Sequence, residues 1–156
     1  MKILEAIKRK KIIKKLKYCG ENLILYGNQK ISAPENISIG KDVRINDNVF
    51  LQGGGGIYIG DDVTLSKGVT LLTRQYNFDE FKNGNRVHDN MPIHIGNNVW
   101  LCANVIVTPG VTISGKYVIV AAGSVVTHDI KEDNCVYGGV PAKKIKNIYF
   151  LFFNIK

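Results

Sequence analysis

The 156-residue sequence has few of the residues that define several common protein classes. It contains three cysteines, four prolines and one tryptophan, and no apolar run approaches the roughly 20 residues that a membrane-spanning helix requires. The N-terminus also lacks the apolar core and the small-residue cleavage site of a signal peptide. Cys19, Cys102 and Cys135 form no C-x-x-C pair, so they predict reduced thiols in a cytoplasmic protein without a catalytic cysteine.

Acidic residues are fewer than basic ones, 13 against 21, and the net charge of +8 is unevenly distributed. Residues 1–17 contain eight basic residues and one glutamate, so this segment carries +7 of the charge. The rest of the chain is nearly neutral, which argues against a nucleic-acid-binding domain. The hydrophobic content of 45% predicts one globular domain with a sizeable core.

The region from Pro92 to Lys143 repeats every six residues. One short strand followed by one tight corner gives a period of six residues. Three such sides close a triangular coil of about 18 residues. Small residues such as Gly96 and Ser114 fit corners where a bulky side chain would clash or φ is unusual. Two series are predicted to point inward: Ile93, Val99, Val105, Val111, Tyr117 and Gly123, and, two positions later, Ile95, Leu101, Val107, Ile113, Ile119 and Val125.

The motifs IGNNVWLCANV, PGVTI, AAGSVVTHDI and GGVPAKKI in this region are similar to those of hexapeptide-repeat acyltransferases. The resemblance is to the sugar O-acetyltransferase branch, which includes galactoside and maltose acetyltransferases, and covers residues 36–147. It implies an all-β solenoid, a left-handed parallel β-helix, that assembles as a homotrimer with active sites between subunits. It also implies acetyl transfer from acetyl-CoA to a sugar hydroxyl, in polysaccharide biosynthesis.

Two interruptions divide the repeat. The sequence QGGGG at residues 52–56 shifts the repeat by two residues. It lacks the strand-to-helix context of a phosphate-binding loop, so we interpret it as a bulge at a corner near a ligand. Between Leu71 and Ile93 the period stops, and residues 72–92 predict a projecting loop, because insertions of this length are uncommon without function. The resemblance implies that this loop reaches the neighbouring subunit and helps to form its active site.

The predicted organisation has three parts. Residues 1–17 form a basic amphipathic helix, residues 18–147 the β-helix, and residues 148–156 an apolar C-terminal tail. The helix either caps the open end of the solenoid or attaches to an anionic membrane surface, where a lipid-linked sugar is a candidate acceptor. The tail either covers the last coil, packs on a partner subunit or contacts the membrane.

Acetyl transfer to a hydroxyl requires a general base, and histidine commonly serves. In the resembling enzymes this histidine lies in the loop, in a segment like T-x-x-H-P-x-D. Here the segment reads TRQYNFD over residues 73–79, so Tyr76 occupies the histidine position. An ordinary phenol, with a pKa of about 10, is a poor base at neutral pH.

His88 lies in the same loop and is the predicted base; the alternative is a solvent-exposed loop histidine. His94 alternates with inward Ile93 and Ile95, so it should face outward. The histidine spacings of 6 and 34 residues do not match the zinc site of β-helical carbonic anhydrases, and no metal is expected. His128, in VVTHDI, is predicted to contact the cofactor.

Other roles follow from the resemblance by position. Asn46 corresponds to a residue opposite the loop histidine across the subunit interface and would orient the sugar hydroxyl; the alternative is a structural asparagine stacked at a corner. The predicted acetyl-CoA contacts are Ala103 and Ala122 with the pantetheine arm, Thr127 and His128 near the adenine end, and Lys143 and Lys146 with the phosphates.

The predicted partners are further copies of this chain and a sugar, nucleotide-sugar or lipid-linked sugar, without nucleic acid. The predicted location is the cytoplasm or the inner face of the membrane. Because Tyr76 departs from the family pattern, two alternatives stay open. One is a catalytically weak or inactive relative that binds CoA or sugar, and the other is an amino-sugar N-acetyltransferase.

Overall fold

The computed structural model describes residues 2–149, with the side chains of residue 7 and of residues 9–149. The predicted tail over residues 148–156 therefore lies outside the described residues from position 150 onward. Neither helix found in the described part is long and apolar enough to cross a membrane.

Helix α1 spans Lys2–Ile13 and helix α2 spans Phe78–Lys82, and short 3-10 helices occupy Pro34–Asn36 and Gly53–Gly55. The strands are β1 (Tyr18–Cys19), β2 (Ile24–Leu25), β3 (Lys30–Ser32), β4 (Ile37–Ile39), β5 (Arg44–Ile45), β6 (Phe50–Gln52), β7 (Ile57–Ile59), β8 (Thr64–Leu65), β9 (Thr70–Leu72), β10 (Arg74–Tyr76), β11 (His88–Asn90), β12 (Ile93–Ile95), β13 (Val99–Leu101), β14 (Ile106–Val107), β15 (Thr112–Ile113), β16 (Val118–Val120), β17 (Val125–Val126), β18 (Cys135–Gly138) and β19 (Lys143–Asn147).

The strands form the three faces of a prism. Face 1 contains β1, β4, β7, β12 and β15; face 2 contains β2, β5, β8, β13, β16, β18 and β19; face 3 contains β3, β6, β9, β14 and β17. Successive coils pair in parallel, as where Ile37 aligns with Ile57 and Ile57 with Ile93. The predicted left-handed parallel β-helix is thereby confirmed as the fold.

Most corners turn through a residue with left-handed backbone geometry. Asp42 and Asn98 have φ of 57°, and each precedes an inward valine, Val43 or Val99, that is at most 1% exposed. Asparagine and aspartate tolerate this region better than other non-glycine residues. The same geometry recurs before other inward positions, at Asn48, Asp62, Gly68, Asn104, Gly110, Tyr117, Gly123 and Asn134.

The predicted inward series is correct through Ile113 and wrong by one residue after it. Tyr117, predicted inward, is 46% exposed with φ of 56°, and the fully buried residue is Val118. The corner between Ile113 and Val118 holds four residues, one more than the corresponding corner of the preceding coil, so every later position shifts. Gly123, Ile119 and Val125 therefore do not point inward; the buried positions are Val118, Val120, Ser124, Val126 and Ile130.

The two ends of the solenoid are closed differently. At the N-terminal end, helix α1 ends at Ile13, and Ile13 and Leu16 pack against the core of the first coil. At the C-terminal end, β19 turns back and pairs antiparallel with β18, with Lys143 opposite Gly138. The chain thus continues as a strand beyond Pro141, where the repeat itself ends.

Replacing Ile113 and Ile119 by alanine, one at a time, tests the corrected register. Ile113 is fully buried, so Ile113→Ala should lower the free energy of unfolding by about 2–5 kcal/mol. Ile119 lies half-buried on the outer side of β16, so Ile119→Ala should lower it by about 1 kcal/mol or less. Urea unfolding followed by circular dichroism measures both changes, and equal losses would contradict the shifted register.

Candidate active site

The loop that interrupts the repeat is an ordered hairpin. Strands β10 and β11 pair antiparallel and place Tyr76 opposite His88, and the short helix α2 forms the tip. The loop leaves the corner between faces 3 and 1 on the third coil, between β9 and β12. The structure gives the loop between Leu71 and Ile93 a defined conformation.

Asn77 joins the hairpin to the tip helix. Its side-chain oxygen accepts hydrogen bonds from the backbone N–H groups of Asp79 and Glu80, at 3.1 and 3.0 Å, and so caps the helix. Its Nδ2 donates to both carboxylate oxygens of Asp89, at 3.2 and 3.3 Å. The sequence signal for this cap is an asparagine followed three positions later by glutamate, which is a recognisable helix start.

The base of the loop rests on the glycine run of the coil below. Thr73 is fully buried; its hydroxyl donates to the Gln52 carbonyl and accepts from the Gly55 N–H at 2.8 Å. A Cβ on Gly55 would lie 2.7 Å from the Thr73 carbonyl oxygen and 2.8 Å from the Met91 nitrogen. The glycines therefore leave the space that the loop backbone occupies.

The loop brings Tyr76 and His88 into direct contact. Their ring centroids lie 4.4 Å apart with an interplanar angle of 29°, and Phe81 lies 5.5 Å from Tyr76 on the same loop. His88 is exposed, and Tyr76 is 37% exposed. The imidazole of His88 thus lies beside the phenol of Tyr76, the residue that the sequence resemblance aligns with the family's loop histidine.

Asn46 does not meet this pair within one chain. It follows β5 at the corner between faces 2 and 3, whereas the loop leaves the corner between faces 3 and 1. Its Nδ2 donates to the Leu65 carbonyl at 3.0 Å, and its backbone N–H donates to the same oxygen at 2.9 Å. Asn46 therefore has the corner-stacking contacts of the structural alternative, while its side chain stays partly exposed.

Two predicted cofactor residues lie along the edge that carries Asn46. We call this corner between faces 2 and 3 the Asn46 edge. Ala103 follows β13 on the fourth coil and Ala122 follows β16 on the fifth, and the Gly123 N–H donates to the Ala103 carbonyl at 2.9 Å. Because alanine has a small side chain, the backbone at this edge stays accessible. An extended amide chain such as the pantetheine arm could lie against it only under that condition.

The remaining predicted cofactor residues are separated from one another. Thr127 and His128 follow β17 at the corner between faces 3 and 1, which is the corner of the loop, and the Thr127 hydroxyl lies 2.8 Å from His128 Nδ1. Lys143 begins β19 close to the Asn46 edge, whereas Lys146 lies further back on face 2. Both lysines are exposed.

The turn between β18 and β19 is locked onto the Asn46 edge. The buried Ser124 hydroxyl accepts from the Gly139 N–H at 3.1 Å and donates to the Ala121 carbonyl at 2.6 Å. The Ala142 N–H donates to the Val125 carbonyl at 2.8 Å. These hydrogen bonds fix the start of strand β19 at Lys143. Because the predicted register is wrong by one residue here, Ser124 is not among the residues predicted to be buried.

Other chemistry is weakly supported. Burial raises the pKa of the Cys102 and Cys135 thiols, which lowers their thiolate content. Among the described residues, no three His, Cys, Asp or Glu side chains are close enough to hold a metal ion. His94 faces outward and stacks on Tyr58, with ring centroids 4.7 Å apart on face 1.

Comparison with known proteins gives a consistent assignment, although no family model matches the sequence. The chain is 36% identical to the galactoside O-acetyltransferase of Escherichia coli K12 over 145 residues, which covers 92% of this chain and 70% of that protein. A hexapeptide-repeat acetyltransferase of Vibrio cholerae, complexed with acetyl-CoA, superimposes with a TM-score of 0.85 and 28% identity over 93% of this chain and 78% of that one. A maltose O-acetyltransferase of Clostridium difficile 630 gives 0.84 and 31%, over 90% and 74%.

A three-sided β-helix with a loop projecting from one corner is the architecture of a hexapeptide-repeat acyltransferase. The chain belongs to this family, in the group of acetyltransferases that includes the galactoside and maltose enzymes. The resemblance noted in the sequence motifs is thereby confirmed.

The packing of the loop base predicts that alanine is tolerated differently at two adjacent glycines, Gly54 and Gly55. Gly55→Ala places its Cβ against loop backbone atoms and should lower the free energy of unfolding by about 1–3 kcal/mol. Gly54→Ala is the matched control, because its nearest neighbour, at 2.9 Å, is the flexible Arg74 side chain. Thermal unfolding and limited proteolysis of the loop measure both effects, and equal behaviour of the two variants would refute the packing argument.

Proposed function

We propose that this protein transfers the acetyl group of acetyl-CoA to a hydroxyl of a sugar or polysaccharide precursor, with His88 as general base. The observation that carries the proposal is the cross-strand contact between His88 and Tyr76, whose rings are 4.4 Å apart. Tyr76 takes the sequence position of the family's histidine, and His88 supplies an imidazole one strand away.

The reaction mainly requires the protein to position the acceptor hydroxyl, the thioester and the general base. Acetyl-CoA supplies an activated thioester, and His88 takes the proton from the attacking hydroxyl and returns it to the departing thiol. The hairpin holds the imidazole in place, since Asn77 ties Asp89, the neighbour of His88, to the tip helix. Tyr76 then acts as a positioning residue that supports the ring by stacking.

The division of the site between two edges supports a site shared by subunits. Tyr76 and His88 lie at one edge of the prism and Asn46 at another, so one chain does not bring them together. In a homotrimer, the loop of one subunit would meet the Asn46 edge of the next. Phe78 and Phe81 on the loop are 68% and 57% exposed, and such an interface would bury them.

The Asn46 edge also suits both substrates. The Asn46 Nδ2 is engaged by Leu65, and the amide oxygen, which no donor in the described part of the chain reaches, is left to accept a hydrogen bond from a sugar hydroxyl. Ala103 and Ala122 continue the same edge toward Lys143, where an amide-containing arm and its phosphates would bind. Thr127 and His128 of an adjacent edge would contact the adenine end.

The proposed location is the cytoplasm, where acetyl-CoA is available. The thiols of Cys19, Cys102 and Cys135 are free in the structure, in keeping with a reducing compartment. The proposed acceptor is a sugar, a nucleotide-sugar or a lipid-linked sugar of polysaccharide assembly.

The role of His88 is tested by thiol release from acetyl-CoA with a panel of sugars and nucleotide-sugars. His88→Ala should lower kcat by about 10²- to 10⁴-fold, because a general base contributes that much. His94→Ala is the matched control: it removes an exposed imidazole from face 1 and should leave kcat nearly unchanged. If His88→Ala keeps full turnover while Tyr76→Phe abolishes it, the base has been misassigned.

The nature of the acceptor is tested on the isolated product. An acetyl ester on oxygen is cleaved by mild alkali, whereas an acetamide survives it, so we expect the acetyl group to be lost. An alkali-stable product would instead identify an amino-sugar N-acetyltransferase. Measurable CoA binding without thiol release for any acceptor would identify an inactive relative.

A further inference from the structure

One face of helix α1 is exposed and combines positive charge with an apolar side chain. Ile7, Lys10, Lys11 and Lys14 have the spacing i, i+3, i+4 and i+7, which places them on the same side of the helix. The Lys14 N–H donates to the Lys10 carbonyl at 3.1 Å, so the helical path reaches Lys14. All three lysines are exposed, and Ile7 is 46% exposed.

The other side of the segment is committed to the solenoid. Ile13 and Leu16 pack against the core, and the Lys17 N–H donates to the Ile37 carbonyl at 3.0 Å. The fold therefore holds the helix across the first coil with its basic face outward. Capping the solenoid accounts for the inner residues but leaves the outer face unexplained.

The charges of this end are not neutralised within the part of the chain that the structure describes. None of Arg9, Lys10, Lys11, Lys14 and Lys15 has a carboxylate within ion-pair distance there. Lysines three and four residues apart on a helix repel one another, so an external anion would stabilise the segment. Lys11 and Lys15 also line a small cavity of about 210 Å³ with Ile12, Ile31 and Pro34.

We propose that this basic end, comprising Ile7, Lys10, Lys11, Lys14 and Lys15, docks on a bilayer surface that contains anionic lipid. Charge complementarity selects an anionic partner, and Ile7 within the lysine face selects one with an apolar layer beneath its charges. A nucleic acid offers no such layer, and the remaining chain, with a net charge of only +1, has no basic surface to extend along it.

This docking is independent of the acetyl-transfer proposal, because the basic end and the cofactor residues lie at opposite ends of the prism. Helix α1 covers the first coil, whereas Ala103 and Ala122 lie on the fourth and fifth. A protein bound through α1 would keep its later coils away from the bilayer.

Sedimentation of the full chain with vesicles tests the proposal. We expect binding to vesicles of equimolar phosphatidylcholine and phosphatidylserine, no binding to phosphatidylcholine alone, and weaker binding as salt rises. The variant Lys10→Gln/Lys11→Gln/Lys14→Gln should bind at least about tenfold more weakly, since each cation near such a surface contributes roughly fivefold. Its thiol release from acetyl-CoA should be unchanged.

The matched control is Lys41→Gln/Lys67→Gln/Lys116→Gln, which removes the same charge from exposed positions on later coils and should bind like the wild type. Ile7→Gln keeps the charge and should also weaken binding. Circular dichroism of each variant checks that the helix is retained. Equal loss in both triple variants, or binding of wild type to a DNA duplex but not to the vesicles, would overturn the proposal.

Discussion

The stacking of one coil on the next at backbone hydrogen-bond distance governs the rest of this structure. At the corner between faces 1 and 2, the N–H groups of Gly20, Gly40, Gly60 and Gly96 each donate to the coil above, at 2.7–2.8 Å. A Cβ on Gly20 or Gly40 would lie 2.6 Å from backbone atoms of the next coil. At this corner the coils can therefore approach so closely only because the residue carries no side chain, and the aliphatic columns inside depend on the pairing of the coils.

The same constraint explains where the polar side chains and the candidate site residues lie. Inward positions are filled mainly by valine, isoleucine and leucine, with Ser124 and Cys135 as exceptions, so most polar groups lie on the outer faces, at the corners and in the loop. The loop in turn needs a coil that leaves room for its backbone, and the glycine run at residues 53–56 provides it. The candidate residues Tyr76, His88 and Asn46 consequently lie on the edges of the prism.

Polar hydrogen bonds, rather than a hydrophobic core, hold the projecting loop. Asn77 links the tip helix to Asp89, and Thr73 links the loop base to Gln52 and Gly55. With these contacts in place, the hairpin register alone puts His88 against Tyr76. The second strand of the hairpin therefore places a histidine directly beside a residue of the first strand.

The sequence by itself determined the solenoid, the inward series up to Ile113 and the position of the loop, because a strict six-residue period is a local property that repetition makes visible. It also pointed to His88 and Tyr76 as members of one loop. Only the tertiary structure decided that these rings stack, that the glycines support the loop, and that Asn46 lies on a different edge, because each depends on which coil or strand lies beside which. The register shift at Tyr117 was likewise decided by the tertiary structure. With one extra corner residue, the pattern of aliphatic side chains fits either register, and only pairing with the neighbouring coils selects Val118 as the buried residue.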